Sequence, residues 1–353
     1  MDFASLPRIS AMTAASRTLD AAVLHKYYSP SAGLQKNISR NNTYGGGEPK
    51  DLPLAPLTHL NLAFVNFGSD YKLIDEHSEW VRRLVLRKVK YPNLRINIAI
   101  GGWAFNNPPT STYLSDMASS YDGRRTFIRS VVNYLRNYGL DGVDIDWEYP
   151  GALDRDGRLQ DVNSYVQLLA ELRDAFEDEG SGWEISIAIP SSYWYLRGFN
   201  LENLQRQDIL GMWDEDNEWT GPYLRGHTDW DMIENDLGLL WRNGIHPENV
   251  VMGFGFYGRS FTMSDPSCFR PDGVCRFRTG GMPGSCSVAA GVLTYQEIAS
   301  CNSSLDVQTF YDPDRTVLYN VFEGSQWVSY DNAVSFKAKL ERLSSRCLSG
   351  PMI

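Results

Sequence analysis

Apolar and polar positions alternate in a way that divides the 353-residue chain into strands and helices taken in turn. Short branched or aromatic runs predict strands over 21–28, 60–67, 95–100, 184–189 and 250–257. Between them, apolar residues three and four apart predict helices. These cover 77–91 (Trp80, Leu84, Val85, Val89), 122–137 (Phe127, Val131, Val132, Leu135) and 161–178 (Tyr165, Leu168, Leu169, Leu172, Phe176). Two more cover 228–243 (Trp230, Ile233, Leu237, Leu240, Trp241) and the stretch 331–345. Pro92 stops the first helix, and Pro190 follows the strand at 184–189. One further strand, over 141–150, has two unlike faces. Asp144, Asp146 and Glu148 alternate on one, and Val143, Ile145 and Trp147 on the other.

Strands and helices in this order, with buried branched strands, predict a parallel sheet in an α/β fold. Acidic residues at the C-terminal end of a strand suit the active face of a (β/α)8 TIM-type barrel. Residues 262–330 break the pattern, being rich in Gly, Pro and Cys, and read as an inserted α+β subdomain. The barrel is then assigned to 21–261 and 331–353, with 1–20 expected to be poorly ordered and 29–55 a loop. Periodicity yields six good strands, whereas such a barrel closes with eight. No strand-length apolar run lies between Tyr195 and Val250, and only Pro351-Met352-Ile353 remain for the last strand. The sixth and eighth strands are therefore expected to be weak or absent.

A formal charge of -10 argues against nucleic acid and anionic membrane surfaces as partners. No apolar run approaches the ~18–20 residues of a membrane span. Of the five cysteines, Cys268, Cys275 and Cys286 fall in one Gly/Pro-rich stretch, which reads as a stapled loop in an oxidising compartment. Cys301 and Cys347 complete the odd set, so at least one stays unpaired. No cysteine pair has zinc spacing and the five histidines form no cluster, so no metal or cofactor is expected. The N-terminus lacks the basic start and apolar core of a secretory signal, while sequons at Asn37, Asn41 and Asn302 point the other way on compartment.

The acidic strand carries the chemistry. Neighbours in its row lie about 6.6–6.8 Å apart along the strand and repel one another, and a retained proton relieves the repulsion. A protonated carboxyl at the mouth of a sheet is a general acid.

At these residues the chain resembles glycoside hydrolase family 18, the chitinases. Asp141, Asp144, Asp146 and Glu148 match its D-x-x-D-x-D-x-E signature at every position. Gly101-Gly102-Trp103 is similar to the end of its S-x-G-G motif, and Tyr257-Gly258-Arg259-Ser260-Phe261 to the segment closing its seventh strand. The insertion resembles the small subdomain that deepens the groove in one branch of the family. The Trp-Thr-Gly-Pro-Tyr segment at 219–223 and the Cys/Gly-rich stretch look most like fungal class V chitinases. The resemblance runs from about residue 55 onward.

The resemblance implies an extracellular, monomeric hydrolase of chitin or chito-oligosaccharides. Glu148 is implied as general acid and then base, Asp146 as the partner of the substrate's acetamido group, and Asp144 as the buried residue that shares a proton with it. The substrate's 2-acetamido oxygen is implied as the nucleophile, in place of a second protein carboxylate. Among candidate sugar contacts, Trp147 is favoured as a platform at the barrel mouth, and Trp103 is balanced between platform and core. Tyr149, Trp213, Tyr257 and Arg259 are further groove candidates, with a structural ion pair nearly as good a reading of Arg259. Tyr27 and Phe64 are strand-end candidates that equally suit the core. Gly101 and Gly102 read as a tight turn with close backbone approach, and Asp141 as support for the motif.

The chain departs from the family pattern in three places. The M-x-Y-D motif of the sixth strand is not found, the eighth strand has little sequence left to form it, and Ala99 stands where the family has Ser. An incomplete chitinase is therefore expected. A carbohydrate-binding protein that has lost turnover and an endo-β-N-acetylglucosaminidase are the competing functions.

Overall fold

The computed structural model describes residues 21–25, 49–52, 54–55, 57–76, 78–190, 193–199, 221–301 and 306–352. The N-terminal 1–20 segment, Tyr27, Trp213, the three sequons and the region expected to hold the sixth strand lie outside these residues. Five strands come first in the chain: β1 (Ala21–His25), β2 (His59–Ala63), β3 (Arg95–Gly101), β4 (Gly142–Asp146) and β5 (Glu184–Ile187). After β6 (Tyr223–Arg225) come β7 (Val251–Gly253), β8 (Tyr257–Met263), β9 (Asp272–Gly280), β10 (Val292–Thr294) and β11 (Gln308–Asp312). The last three are β12 (Val317–Phe322), β13 (Gln326–Tyr330) and β14 (Gly350–Met352).

Seven of them form a parallel sheet in the order β5-β4-β3-β2-β1-β14-β7. This is the order in which barrel strands wrap, with β14 in the eighth place between the first and seventh. The fold is a TIM-type barrel. The eighth strand, for which little sequence seemed to remain, is three residues long. Pro351 and Met352 pair with Met252 and Gly253, and Met352 also pairs with Ala21. A run this short shows no periodicity, so only its partners reveal it as a strand.

The helices are α1 (Ser78–Val85), α2 (Tyr113–Ser119), α3 (Tyr121–Tyr138), α4 (Asp161–Asp178), α5 (Tyr193–Leu196), α6 (Trp230–Arg242), α7 (Tyr295–Cys301) and α8 (Ala333–Ser345). α3 shows how local sequence sets them. Ser120 accepts from the Gly123 N–H at its start, Gly139 ends it at φ 68°, and Phe127, Val131 and Leu135 lie fully buried against the sheet. α1 is shorter than its apolar spacing suggests. The chain tightens into a 3-10 turn over Leu86–Val89, which leaves Val89 86% exposed, away from the core face assigned to it.

Ion pairs join the strands at their N-terminal ends. Glu184, which opens β5, pairs with His59 Nε2 and Arg95 Nε, each at 3.2 Å. Burial alone would raise the Glu184 pKa, but His59 and Arg95 hold it below the usual value. Asp141, just before β4, accepts from Lys88 Nζ and from the Ile96 N–H, each at 2.7 Å.

The second sheet is antiparallel, in the order β11-β12-β13-β8-β9-β6, with β10 on β8. Phe261, Phe277, Trp327 and Tyr319 fill its core, and a Cys268–Cys275 disulfide closes the turn into β9. Cys286, Cys301 and Cys347 are free thiols. The strand expected over 250–257 is two strands. β7 ends at Gly253, and Tyr257 opens β8 in the other sheet. Val250, Met252 and Phe254 pack in one core, whereas Phe256, in the break, is 56% exposed, so the apolar run does not mark one continuous buried strand.

Candidate active site

The C-terminal ends of β3 and β4 bring the acidic row to the barrel mouth. β3 and β4 pair from Asn97–Gly142 to Gly101–Asp146, so the glycine turn after β3 lies against the acidic strand. At Gly101 a side-chain carbon would fall 1.9 Å from the Asp146 carbonyl oxygen, and at Gly102 one would fall 2.4 Å from the Phe64 ring. Both glycines have positive φ, 114° and 80°. The approach is closed by hydrogen bonds. The Gly102 N–H donates to the Asp146 carbonyl at 2.9 Å, the Gly101 N–H to Asn66 Oδ1 at 2.7 Å, and Asn106 Nδ2 to the Asp146 carbonyl at 3.1 Å.

The opposite face of the strand is core: Val143 and Ile145 are fully buried. Trp147 belongs with them. It is only 2% exposed and meets Tyr165 edge-on with centroids 5.2 Å apart. This corrects the expectation of a sugar platform at Trp147: it lies one residue past the end of β4, and its ring is buried in the same core as Val143 and Ile145, against Tyr165. Trp103 is 50% exposed, and its ring lies 3.9 Å from the Arg155 guanidinium carbon.

Asp144 is buried and accepts from Ser186 Oγ at 2.5 Å. Burial raises its pKa, and the Ser186 hydrogen bond holds it back in part. Asp146 is driven well above the carboxylate range, by burial first and then by the charges of Glu148 and Asp144. Burial also lifts Glu148, against the opposing pull of Arg155 and a hydrogen bond with Tyr149, to about 7. A carboxylic acid near 7 still holds its proton in much of the population at neutral pH. The three groups therefore hold fewer than three charges, which is what a proton donor beside an anionic site requires.

Ser186 is the hydroxyl that Ala99 does not supply. Ala99, Asp144 and Ser186 are register partners across β3, β4 and β5. The signal was present in the sequence, since 184–187 alternates polar and apolar just as the acidic strand does. Asn66, Asn106 and Arg155 had no such signal, because the two asparagines reach backbone groups from loops and Arg155 reaches Trp103 and Asn107 from a single 3-10 turn, none of which leaves a periodic pattern.

Tyr149 stacks on Tyr195 with centroids 4.4 Å apart. Tyr257 opens β8 just past the C-terminal end of β7, with the His227 ring 4.9 Å and the Arg259 guanidinium 5.5 Å from its own. His227 is held neutral, its pKa pushed down to about 3 by burial and by Arg259 and Lys339. Asp141 lies at the far end of β4 from the acids, and its partners are structural. Among the described residues, no His/Cys/Asp/Glu group could hold a metal ion, and no helix is long and apolar enough to cross a membrane.

Comparison with known proteins places these features in one group. The family model described as glycosyl hydrolases family 18 matches residues 27–353. An endochitinase from Manduca sexta is 30% identical over 329 residues, covering 86% of this chain and 58% of its own length. Secreted chitinase LysM12 from Penicillium expansum is 30% identical over 301 residues, covering 77% of this chain and 20% of its own length. The chain thus spans less than two thirds of either relative. Human YKL-39, described as a pseudo-chitinase with retained chitooligosaccharide binding, is 26% identical in its solved structure. Its TM-score is 0.72, over 88% of this chain and 87% of that one.

Proposed function

The chain belongs to glycosyl hydrolase family 18, and from that premise we propose that it cleaves β-1,4-linked N-acetylglucosamine polymers with retention of configuration. The observation that carries this reading is Glu148, an acid lifted to about 7 just past the end of a strand whose Asp146 is raised as well. Glu148 gives its proton to the glycosidic oxygen as the C1–O bond breaks. The acetamido carbonyl oxygen bonds to C1 from the opposite face, giving an oxazolinium cation without a protein nucleophile. Asp146 accepts the acetamido N–H and stabilises that cation, and Asp144 shares its proton. Glu148, now a carboxylate, takes a proton from water. The hydroxyl adds at C1, the oxazolinium ring opens, and the acid is restored.

Trp103 is the exposed aromatic platform in this reading, with Tyr149, Tyr257 and Arg259 along the groove. The antiparallel sheet, which lies largely within 262–330 but begins at Tyr257 and takes in Tyr223–Arg225, is the inserted subdomain that deepens it, and the seven-stranded parallel sheet belongs to the barrel. The 219–223 segment and the Cys/Gly-rich stretch favour a fungal class V type of chitinase. The Cys268–Cys275 disulfide and the name of the Penicillium relative favour an extracellular site of action.

The test is product analysis on chitotetraose and on an N-glycosylated protein, with the anomeric form of the first product read by NMR. Chito-oligosaccharides released as the β-anomer are expected. Release of N-glycans with chitotetraose untouched would assign the chain as an endo-β-N-acetylglucosaminidase. The likeness to YKL-39 supports a second reading, sugar binding without turnover. Binding of chitotetraose with no product would select it.

A further inference from the structure

We infer that Arg155 is a positioning residue of this site: it fixes the Trp103 ring as a platform beside Glu148 and couples the two. The inference deepens the hydrolase reading and rests on it. Arg155 ends the 3-10 turn Leu153–Arg155, seven residues past Glu148. Its guanidinium carbon lies 3.9 Å from the centre of the Trp103 ring, a cation–π stack on a ring that is half exposed. The same group reaches the turn that carries the ring. Nη1 donates to Asn107 Oδ1 at 2.9 Å and Nη2 to the Asn106 carbonyl at 3.3 Å. Asn107 Nδ2 donates to the Trp103 carbonyl at 2.8 Å, and Asn106 Nδ2 to that of Asp146 at 3.1 Å. One planar cation therefore links the platform, its turn and the acidic strand.

The loop presenting Arg155 is itself fixed. Tyr195 Oη donates to Asp154 Oδ2 at 2.8 Å, and the Tyr195 ring stacks on Tyr149. Buried Asp161 accepts from the Arg158 N–H at 2.6 Å and from Ser115 Oγ at 2.7 Å. Arginine suits the position because a planar fork can stack and donate at once, whereas a lysine ammonium is a point charge. Electrostatics adds a second link. Asp144 and Asp146 on β4, Tyr149 beside them and Tyr165 on α4 face the acid cluster, Tyr195 on α5 faces Tyr149, and the Arg155 charge opposes the burial that raises Glu148.

The test uses the full chain, Arg155→Gln and Arg155→Lys, with kcat and KM on a fluorogenic chitotrioside from pH 4 to 9. The Gln variant loses the cation, so its alkaline limb should move to higher pH by roughly half a unit or more. The Lys variant keeps the charge and loses the stack. Its limb should stay in place while KM rises about three- to tenfold. Calorimetry of chitotetraose in the Glu148→Gln background gives a readout free of turnover, and the Gln change at 155 should weaken binding there by a similar factor. If the wild type turns over and both variants keep its limb, KM and affinity, Arg155 is a loop residue only and the inference is overturned. A drop in melting temperature with those three values unchanged has the same meaning. A wild type that binds but does not hydrolyse overturns the hydrolase reading, and the binding comparison still decides the role of Arg155.

Discussion

At the scale of single residues, position within one strand separates groups that a motif treats as alike. Asp141 and Asp144 are three residues apart, yet one anchors the foot of β4 and the other lies in the acidic row. Asp141→Ala is therefore expected to cost roughly 2–4 kcal/mol in urea unfolding, with kcat on a chitotrioside within about twofold of wild type. Ser186→Ala removes the hydroxyl that Asp144 accepts. It should lose about 1–3 kcal/mol of stability and also lower kcat, because the acid row loses a fixed partner. An unchanged kcat in Ser186→Ala would remove Ser186 from the site. The acidic row was legible in the sequence because its alternation is strict and its residues are chemically unlike their neighbours. Trp147 was misread for a related reason: a tryptophan beside a catalytic motif suggests a sugar, but strand alternation alone already placed it on the Val143–Ile145 face.

At the scale of elements, the sequence was most informative where the pattern is long. The helix over 161–178 has the observed limits, and its apolar face is the buried one. Three-residue strands gave no signal, and β14 is defined by the two strands that flank it. The run at 250–257 concealed a crossing from one sheet to the other, since the exposed Phe256 looks the same in sequence as the buried Phe254. Helix α6 allows a clean test of local physics. Gly238 lies within it with nothing inside 4 Å of the side-chain carbon an alanine would add. Gly238→Ala should raise stability by about 0.5–1 kcal/mol. Gly101→Ala, which would place a carbon 1.9 Å from the Asp146 carbonyl oxygen, should sharply lower both stability and activity. Thermal melts of the two variants side by side check the contrast.

At the scale of the whole molecule, stability and the proposed catalysis depend on pH through the same groups. Glu148 and Asp146 have raised pKa values in the fold, so their contribution is fully present below their unfolded values and is lost as pH rises through the folded ones. Glu184 works in the other direction. Its lowered value gives stability that is present above its unfolded pKa and lost as pH falls through the folded one. Maximum stability is expected on the acid side of neutrality. Glu148→Gln should be more stable than wild type at pH 8, by at most roughly 3 kcal/mol, with the gain vanishing toward pH 4. Urea unfolding of both proteins at the two pH values checks the sign. Whether Glu148 is the acid of a chitin-cleaving site is decided by hydrolysis of a fluorogenic chitotrioside with wild type and Glu148→Gln side by side. Turnover with an alkaline limb near 7 is expected, with a loss of roughly a thousandfold or more in a Gln variant that is still folded. A Gln variant that hydrolyses the substrate at the wild-type rate would contradict that role.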